Sequence, residues 1–345
     1  MLRARVTGAA LAATLAVTAH AAEPPRAKPA KAAFERGFAI LVYGNYPHTR
    51  AQARVLIRRL DELHVTHVRI VFPIRQDSPT SSRVHRDREV TPTDGRLLAI
   101  ASEARRRRMK VAIVPLIDDV HLAPSWRGAI NPRNVPAWFD SYRKLLRRYA
   151  RLATRARANT LSIGVELKSM SGYEAEWRHL IRAMRRVYSG KLAYSVNWDA
   201  VWERVYSRWV TRVDTVGVDA YFPLEHAGAD ATVGDLRREF DHHWTTLLND
   251  FRDAYPNNRV TLTEVGLRSQ RGSFKAPWEW EARAPIDLRA QRRYYSAYCG
   301  WAEQTGVDGI YWWFADLNVP GRNVRNKSFN PLGKPAEREV RRCFR

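Results

Sequence analysis

The chain has 345 residues and a formal net charge of +23. Apolar residues make up 45% of it, with 18 Gly and 18 Pro, which excludes disordered, collagen-like and low-complexity chains. Its two cysteines cannot build a multi-disulfide scaffold or a four-cysteine zinc site.

Arg3 and Arg5 precede an apolar run from Gly8 to Thr18, and Ala19-His20-Ala21 is a small-x-small cleavage site. Residues 1–21 therefore read as a signal peptide, and a secreted or periplasmic protein is expected. Residues 22–36 read as a Pro/Ala-rich linker and 37–345 as one folded domain. No later run approaches the ~20 apolar residues of a transmembrane helix. Export permits a Cys299–Cys343 disulfide; two separate buried thiols are the alternative.

From Phe38 onward short β-branched runs alternate with amphipathic stretches. The predicted strands are Phe38–Tyr43, His67–Phe72, Lys110–Ile117, Thr160–Val165, Lys191–Val196, Thr215–Ala220, Arg259–Thr263 and Gly309–Trp313. Each is nearly continuously apolar, as a strand buried on both faces must be. The predicted helices are Arg50–Leu63, Trp138–Ala156, Ala175–Tyr188, Val233–Tyr255 and Leu288–Thr305. Eight strands alternating with helices predict an α/β fold, a single-domain (β/α)8 TIM barrel. The rival is a doubly wound open sheet. Tyr43-Gly44-Asn45-Tyr46-Pro47, after the first strand, lacks that fold's glycine-rich phosphate turn. In a barrel, functional groups stand at the C-terminal strand ends.

Two glutamates stand there: Glu166 after the fourth strand and Glu264 after the seventh. A carboxylate at a buried strand end costs free energy unless it is paired or used. The structural alternative is that each pairs with an arginine. Two carboxyls across one mouth suit glycoside hydrolysis, one protonating the leaving oxygen and the other attacking the anomeric carbon or activating a water. A separation of about 5–5.5 Å implies retention and about 6.5–9.5 Å inversion. Other strand ends carry Asn197-Trp198-Asp199, Asp219-Ala220-Tyr221-Phe222-Pro223 and Tyr311-Trp312-Trp313-Phe314, which supply rings for sugar C–H faces and polar groups for hydroxyls. Trp312 and Trp313 must point to opposite sides of their strand.

Several segments together resemble glycoside hydrolase family 113 of clan A, from about Phe38 to Glu337. They are Ser125-Trp126-Arg127-Gly128-Ala129-Ile130, Trp138-Phe139-Asp140-Ser141-Tyr142, Ile163-Gly164-Val165-Glu166-Leu167, Asn197-Trp198-Asp199, Gly217 to Leu224, Thr263 to Ser269 and Gly333-Lys334-Pro335. The resemblance implies a barrel that hydrolyses a β-linked polysaccharide, β-1,4-mannan or a related glycan, with retention. Glu166 then matches the acid/base and Glu264 the nucleophile. Tyr221 matches a hydrogen-bond donor to the nucleophile, and Trp312–Trp313 a substrate platform. Trp126, Asn197, Trp198 and Asp118 are further candidate substrate contacts. Clan A enzymes commonly place Asn directly before the acid/base, to contact the sugar 2-hydroxyl; Val165 stands there instead.

Arg69, inside the second strand, is expected to point inward and either pair with Glu264, holding it ionised, or pair elsewhere for structure. Glu166 is expected in drier, more aromatic surroundings than Glu264. Asp118, Asp119 and His121 are too loosely spaced for a convincing metal site, and the chemistry calls for no cofactor. The arginine pairs lie on different predicted helices and should encircle the barrel, which argues against nucleic acid and leaves loose adhesion to an anionic envelope polymer. A monomer acting on a polysaccharide or oligosaccharide is the expected state. The alternative is a non-catalytic carbohydrate-binding barrel at the cell envelope, which would need neither glutamate.

Overall fold

The computed structural model describes residues 33–281 and 283–345, so the predicted signal peptide and most of the predicted linker lie outside the described residues. Eight parallel strands close on themselves: β1 (Glu35–Leu41), β2 (His67–Gln76), β3 (Lys110–Ile117), β4 (Thr160–Val165), β5 (Lys191–Asn197), β6 (Thr215–Asp219), β7 (Arg259–Val265) and β8 (Gly309–Asp316). Each strand pairs with the next, and β8 returns to β1, which closes the barrel. The third and fourth strands have the predicted bounds. The first starts at Glu35, so the end of the predicted linker belongs to the barrel. A two-residue strand, Val84–His85, adds antiparallel to the end of β2.

The helices form the outer ring: α1 (Thr49–Glu62), α2 (Asp94–Arg106), α3 (Val135–Arg155), α4 (Glu174–Arg185), α5 (Trp198–Trp202), α6 (Val233–Glu239), α7 (Thr245–Ala254), α8 (Leu288–Ala302) and α9 (Ala336–Cys343). Local chemistry sets their starts. Thr93 caps α2 by accepting from the Arg96 amide, and Asn134 caps α3 by accepting from that of Ala137. Thr232 and Asp235 form a reciprocal capping box on α6. The predicted single helix over 233–255 is interrupted by a π-helical turn, Phe240–Trp244, which inserts an extra residue per turn between α6 and α7. Among the described residues no helix is long and apolar enough to cross a membrane.

The main core lies between barrel and helices and is rich in rings. Trp177 stacks on Trp209 at 4.3 Å, Phe222 on Trp244 at 4.2 Å and Tyr295 on Trp312 at 4.3 Å. Fully burying one such side chain contributes about 1.5–3 kcal/mol. A smaller apolar cluster, with Ala39, Val71, Val114, Val165, Tyr221, Trp313, Phe314 and Phe329, fills the C-terminal half of the barrel and leads into its mouth. Cys299 of α8 and Cys343 of α9 form a disulfide, with Cα atoms 5.7 Å apart.

Candidate active site

Two backbone irregularities aim the glutamates. The register of β4 against β5 shifts between Ser162 and Val165, and Glu166 follows at φ 57°, with its amide donating to the Ser195 carbonyl at 2.8 Å. A left-handed conformation costs a non-glycine residue of order 1–3 kcal/mol and persists where surrounding structure over-determines it. The register of β6 against β7 also shifts, between Val218 and Asp219, so that Asp219 pairs with Glu264. Such an irregularity lets the adjacent Thr263 and Glu264 both serve the barrel interior.

Glu166 and Glu264 are 7% and 6% exposed, which places both nearly out of water. The Tyr221 hydroxyl donates to Glu264 Oε2 at 3.0 Å, as expected for a strand-six tyrosine. Arg127, from the loop between β3 and α3, donates to Glu166 Oε2 at 2.6 Å. Its other groups are anchored: Nε donates to the Ile117 carbonyl at 2.7 Å, and Nη2 lies 2.5 Å from Asp119 Oδ2. Asp219 completes the cluster. It is fully buried, accepts from Thr263 Oγ1 at 2.6 Å, and its Oδ2 has no partner among the described residues.

Arg69 does point inward, but its carboxylate partner is Asp219, at 3.8 Å, rather than Glu264. Its guanidinium also donates to the Thr263 carbonyl at 2.5 Å and to Ser195 Oγ at 3.3 Å. The expected asymmetry is also reversed: the cation touches Glu166, while Glu264 receives only a hydroxyl. The reason is long range. Arg127 reaches Glu166 because Asp119 and Ile117 hold it at the end of β3.

Burial pushes all three carboxyls up. Glu166 rises to about 8, with Arg127 opposing and Asp219 and Asp119 adding to the rise. Glu264 is pushed well above the usual carboxylate range by burial, then by Asp219 and Glu166, with Arg69 and Arg127 opposing. Asp219 rises through burial, against Arg69, the Thr263 hydroxyl and Arg127. Burial and mutual repulsion thus both act against full ionisation of the three carboxyls, while Arg127 and Arg69 act for it.

Rings frame the mouth. Trp313 is 3% exposed and belongs to the small inner cluster that also holds Tyr221 and Val165. Trp312 instead stacks on Tyr295 of α8 and is fully buried, so it is a core residue and not a substrate platform. Trp280 packs on Phe314 and Phe329, and Trp278 stacks on Trp198 at 4.9 Å; both arrive on the loop after β7 and are exposed. Trp126 is half-buried, its ring lying where a Gly128 side chain would be. Asp118 is buried and accepts from the Tyr43 hydroxyl at 3.3 Å. Asn197, at the end of β5, is half-buried, and its amide makes no hydrogen bond among the described residues. A cleft of about 470 Å³ extends from the β1 and β8 ends, bordered by Tyr43, Tyr46, Gln52, Asp316 and Asn318.

Asp118, Asp119 and His121 do not converge. Among the described residues the one grouping with metal-ligand spacing is Cys299, Glu303 and Cys343, whose two sulfurs are bonded to each other. Arg127 and Asp219 are the functional groups that the sequence reading named only within longer segments, without a role of their own. Asp219 carried a signal, a carboxylate ending a buried strand like the two glutamates. Arg127 carried none, because its partner lies 39 positions away.

The profile of Glycoside Hydrolase Family 113 matches residues 39–334. No curated protein sequence matches the chain. Among solved structures, the chain is similar to the GH113 β-mannanase AaManA from Alicyclobacillus acidocaldarius in complex with ManMIm, at TM-score 0.78 and 24% identity, over 91% of this chain and 97% of that one. Another GH113 β-1,4-mannanase aligns at TM-score 0.78 and 20% identity, over 91% and 99%. A β-glucuronidase from Ruminococcus gnavus aligns more distantly, at TM-score 0.60 and 14% identity, over 91% of this chain and 50% of that one. With both glutamates turned into one barrel mouth and the family profile running from β1 through the loop beyond β8, the chain is a glycoside hydrolase and belongs to Glycoside Hydrolase Family 113.

Proposed function

We propose that the protein is an exported, retaining hydrolase of a β-1,4-mannan-like polysaccharide. The observation that carries the reading is the convergence of Glu166 and Glu264, from β4 and β7, on one buried cluster. In the first step Glu264 attacks the anomeric carbon while Glu166 gives its proton to the departing glycosidic oxygen. In the second, Glu166 takes a proton from water, which displaces Glu264 from the sugar. Burial and the mutual repulsion of the three carboxyls favour a protonated Glu166 for the first step. Tyr221 donates to Glu264 and stabilises the attacking anion. Val165 is 3% exposed and packs in the inner apolar cluster, so it offers the sugar no hydrogen bond. The uncommitted amide of Asn197, at the end of the adjacent strand β5, is the substitute we assign. The reading of residues 1–21 as a signal peptide and the Cys299–Cys343 disulfide support export.

A panel of purified β-glycans tests the substrate. β-1,4-mannan should yield new reducing ends with the β configuration first seen by NMR, and Glu166→Gln should abolish this on the natural polymer. Absence of turnover on every β-glycan, with binding intact, would support the non-catalytic barrel instead.

The charges around the carboxyls give opposite pH signatures. Arg127→Met removes a cation from Glu166, which disfavours its anion and raises its pKa. The alkaline limb of kcat/KM should move up by about one pH unit or more. Asp219→Asn removes an anion from beside both glutamates, lowering both pKa values, so both limbs should move down by a similar amount. Shifts of the same sign in the two variants would refute this account of the cluster.

A further inference from the structure

The barrel has a second mouth, at the N-terminal strand ends, opposite the glutamates. The interior of this fold is normally filled by Val, Ile and Leu side chains. Here the inward positions of β3, β4 and β5 include Ala112, Ser162, Ala193 and Ser195, all small. They leave a cavity of about 180 Å³ that runs from the N-terminal rim up to Arg69 and Thr263. At about 30 Å³ per water, that space takes some six waters, or one tetrahedral oxyanion with a few waters beside it.

The rim is cationic. Lys110 and Lys191, the first residues of β3 and β5, line it, and neither ammonium has an ion pair or hydrogen bond among the described residues. Arg259 and Glu35 also line it and pair with each other at 3.1 Å, with Asp308 3.5 Å from Arg259, so the lysines carry the net positive charge of the rim. His67 adds no charge, because burial lowers its pKa to about 4. Arg69 closes the inner end and is 4% exposed. Within the cavity, Thr261 is fully buried and its hydroxyl has no partner. A buried hydroxyl left so is a donor awaiting an acceptor.

We propose that this cavity binds a small oxyanion of the size and charge of phosphate or sulfate. The two free ammonium groups attract it to the rim, and the Thr261 hydroxyl, with Arg69 beyond it, meets its oxygens inside. The same ammonium groups repel a cation. The inference does not rest on the glycan reading, although Arg69 and Thr263, at the cavity's inner end, also face Asp219 on the catalytic side.

Titration calorimetry of the purified chain with inorganic phosphate, and separately with sulfate, tests it against chloride at matched ionic strength. One saturable site is expected for at least one of the two oxyanions. Lys110→Met/Lys191→Met, changed at exposed positions, should weaken that site at least tenfold. Thr261→Val should weaken it several-fold while keeping the fold. Turnover at low anion concentration should be unchanged in the lysine variant. Absence of saturable binding, which would leave water alone in the cavity, overturns the proposal. So does undiminished affinity in the lysine variant. Competition between the anion and an oligosaccharide would also overturn it, by placing the anion beside Arg127 in the catalytic mouth.

Discussion

Glu264→Ala should lower turnover by roughly 10⁴-fold or more on every substrate, since no glycosyl-enzyme forms without the nucleophile. Azide enters the space left by the carboxylate and should restore cleavage with inverted configuration. Glu166→Ala removes the proton donor instead, and should cost about 10²–10⁴-fold on the natural polymer. A nitrophenyl glycoside needs little protonation to depart, so its first step should survive and the glycosyl-enzyme should accumulate. Azide should then release a product of retained configuration. NMR of the azide adducts distinguishes the two residues by stereochemistry. The Arg127 contact makes this comparison informative, because in the free enzyme the stronger counter-charge stands on Glu166. Reversed stereochemistry would keep the family and fold but exchange the two roles. Near-normal activity in both variants would remove the glutamates from the chemistry altogether.

Replacing Cys299 and Cys343 together by serine should lower the free energy of unfolding by about 2–4 kcal/mol, as expected for a cross-link that closes a loop of intermediate length. The two sulfurs stand 44 positions apart and join α9 to α8. The effect should be felt where the barrel closes, since α9 also meets the first βα unit. Arg59 on α1 pairs with Glu337 at 2.7 Å, Arg341 donates to the Glu62 carbonyl at 2.8 Å, and Arg36 donates to that of Phe344 at 2.5 Å. Urea unfolding with and without reductant measures it. A change below about 0.5 kcal/mol would mean that these non-covalent contacts alone hold α9.

The barrel was legible because each strand is a short apolar run bounded by polar residues, and two buried faces permit no other pattern. Glu166 and Glu264 were legible because charge at the end of such a run is costly. Periodicity served less well where the backbone departs from it. The stretch 233–255 keeps a helical pattern through its π turn, and α9 is too short for the pattern to emerge. Helix α2 was passed over although Thr93, Leu97, Ile100, Ala101 and Ala104 give it a cap and a face. The orientation of Trp312 against Trp313 was fixed only up to a choice of two, and the packing of Tyr295 made the choice. Arg127 on Glu166 and Arg69 under Asp219 were beyond reach, because each joins segments whose spacing carries no local signal.

The ring-rich layer around the barrel sets two optical populations of indoles at the extremes, with Trp126, Trp198 and Trp313 between them. Trp138, Trp177, Trp209, Trp244, Trp301 and Trp312 are fully buried, whereas Trp202, Trp278 and Trp280 are 54%, 38% and 53% exposed. The buried set emits from an apolar environment and shifts to the red only when helices part from the barrel. A dissolved quencher such as iodide reaches the exposed set most readily, and two of its members stand on the loop that frames the catalytic mouth. Native fluorescence therefore reports two separate events without a label: its wavelength follows the integrity of the fold, and its susceptibility to quenching follows what lies against Trp278 and Trp280.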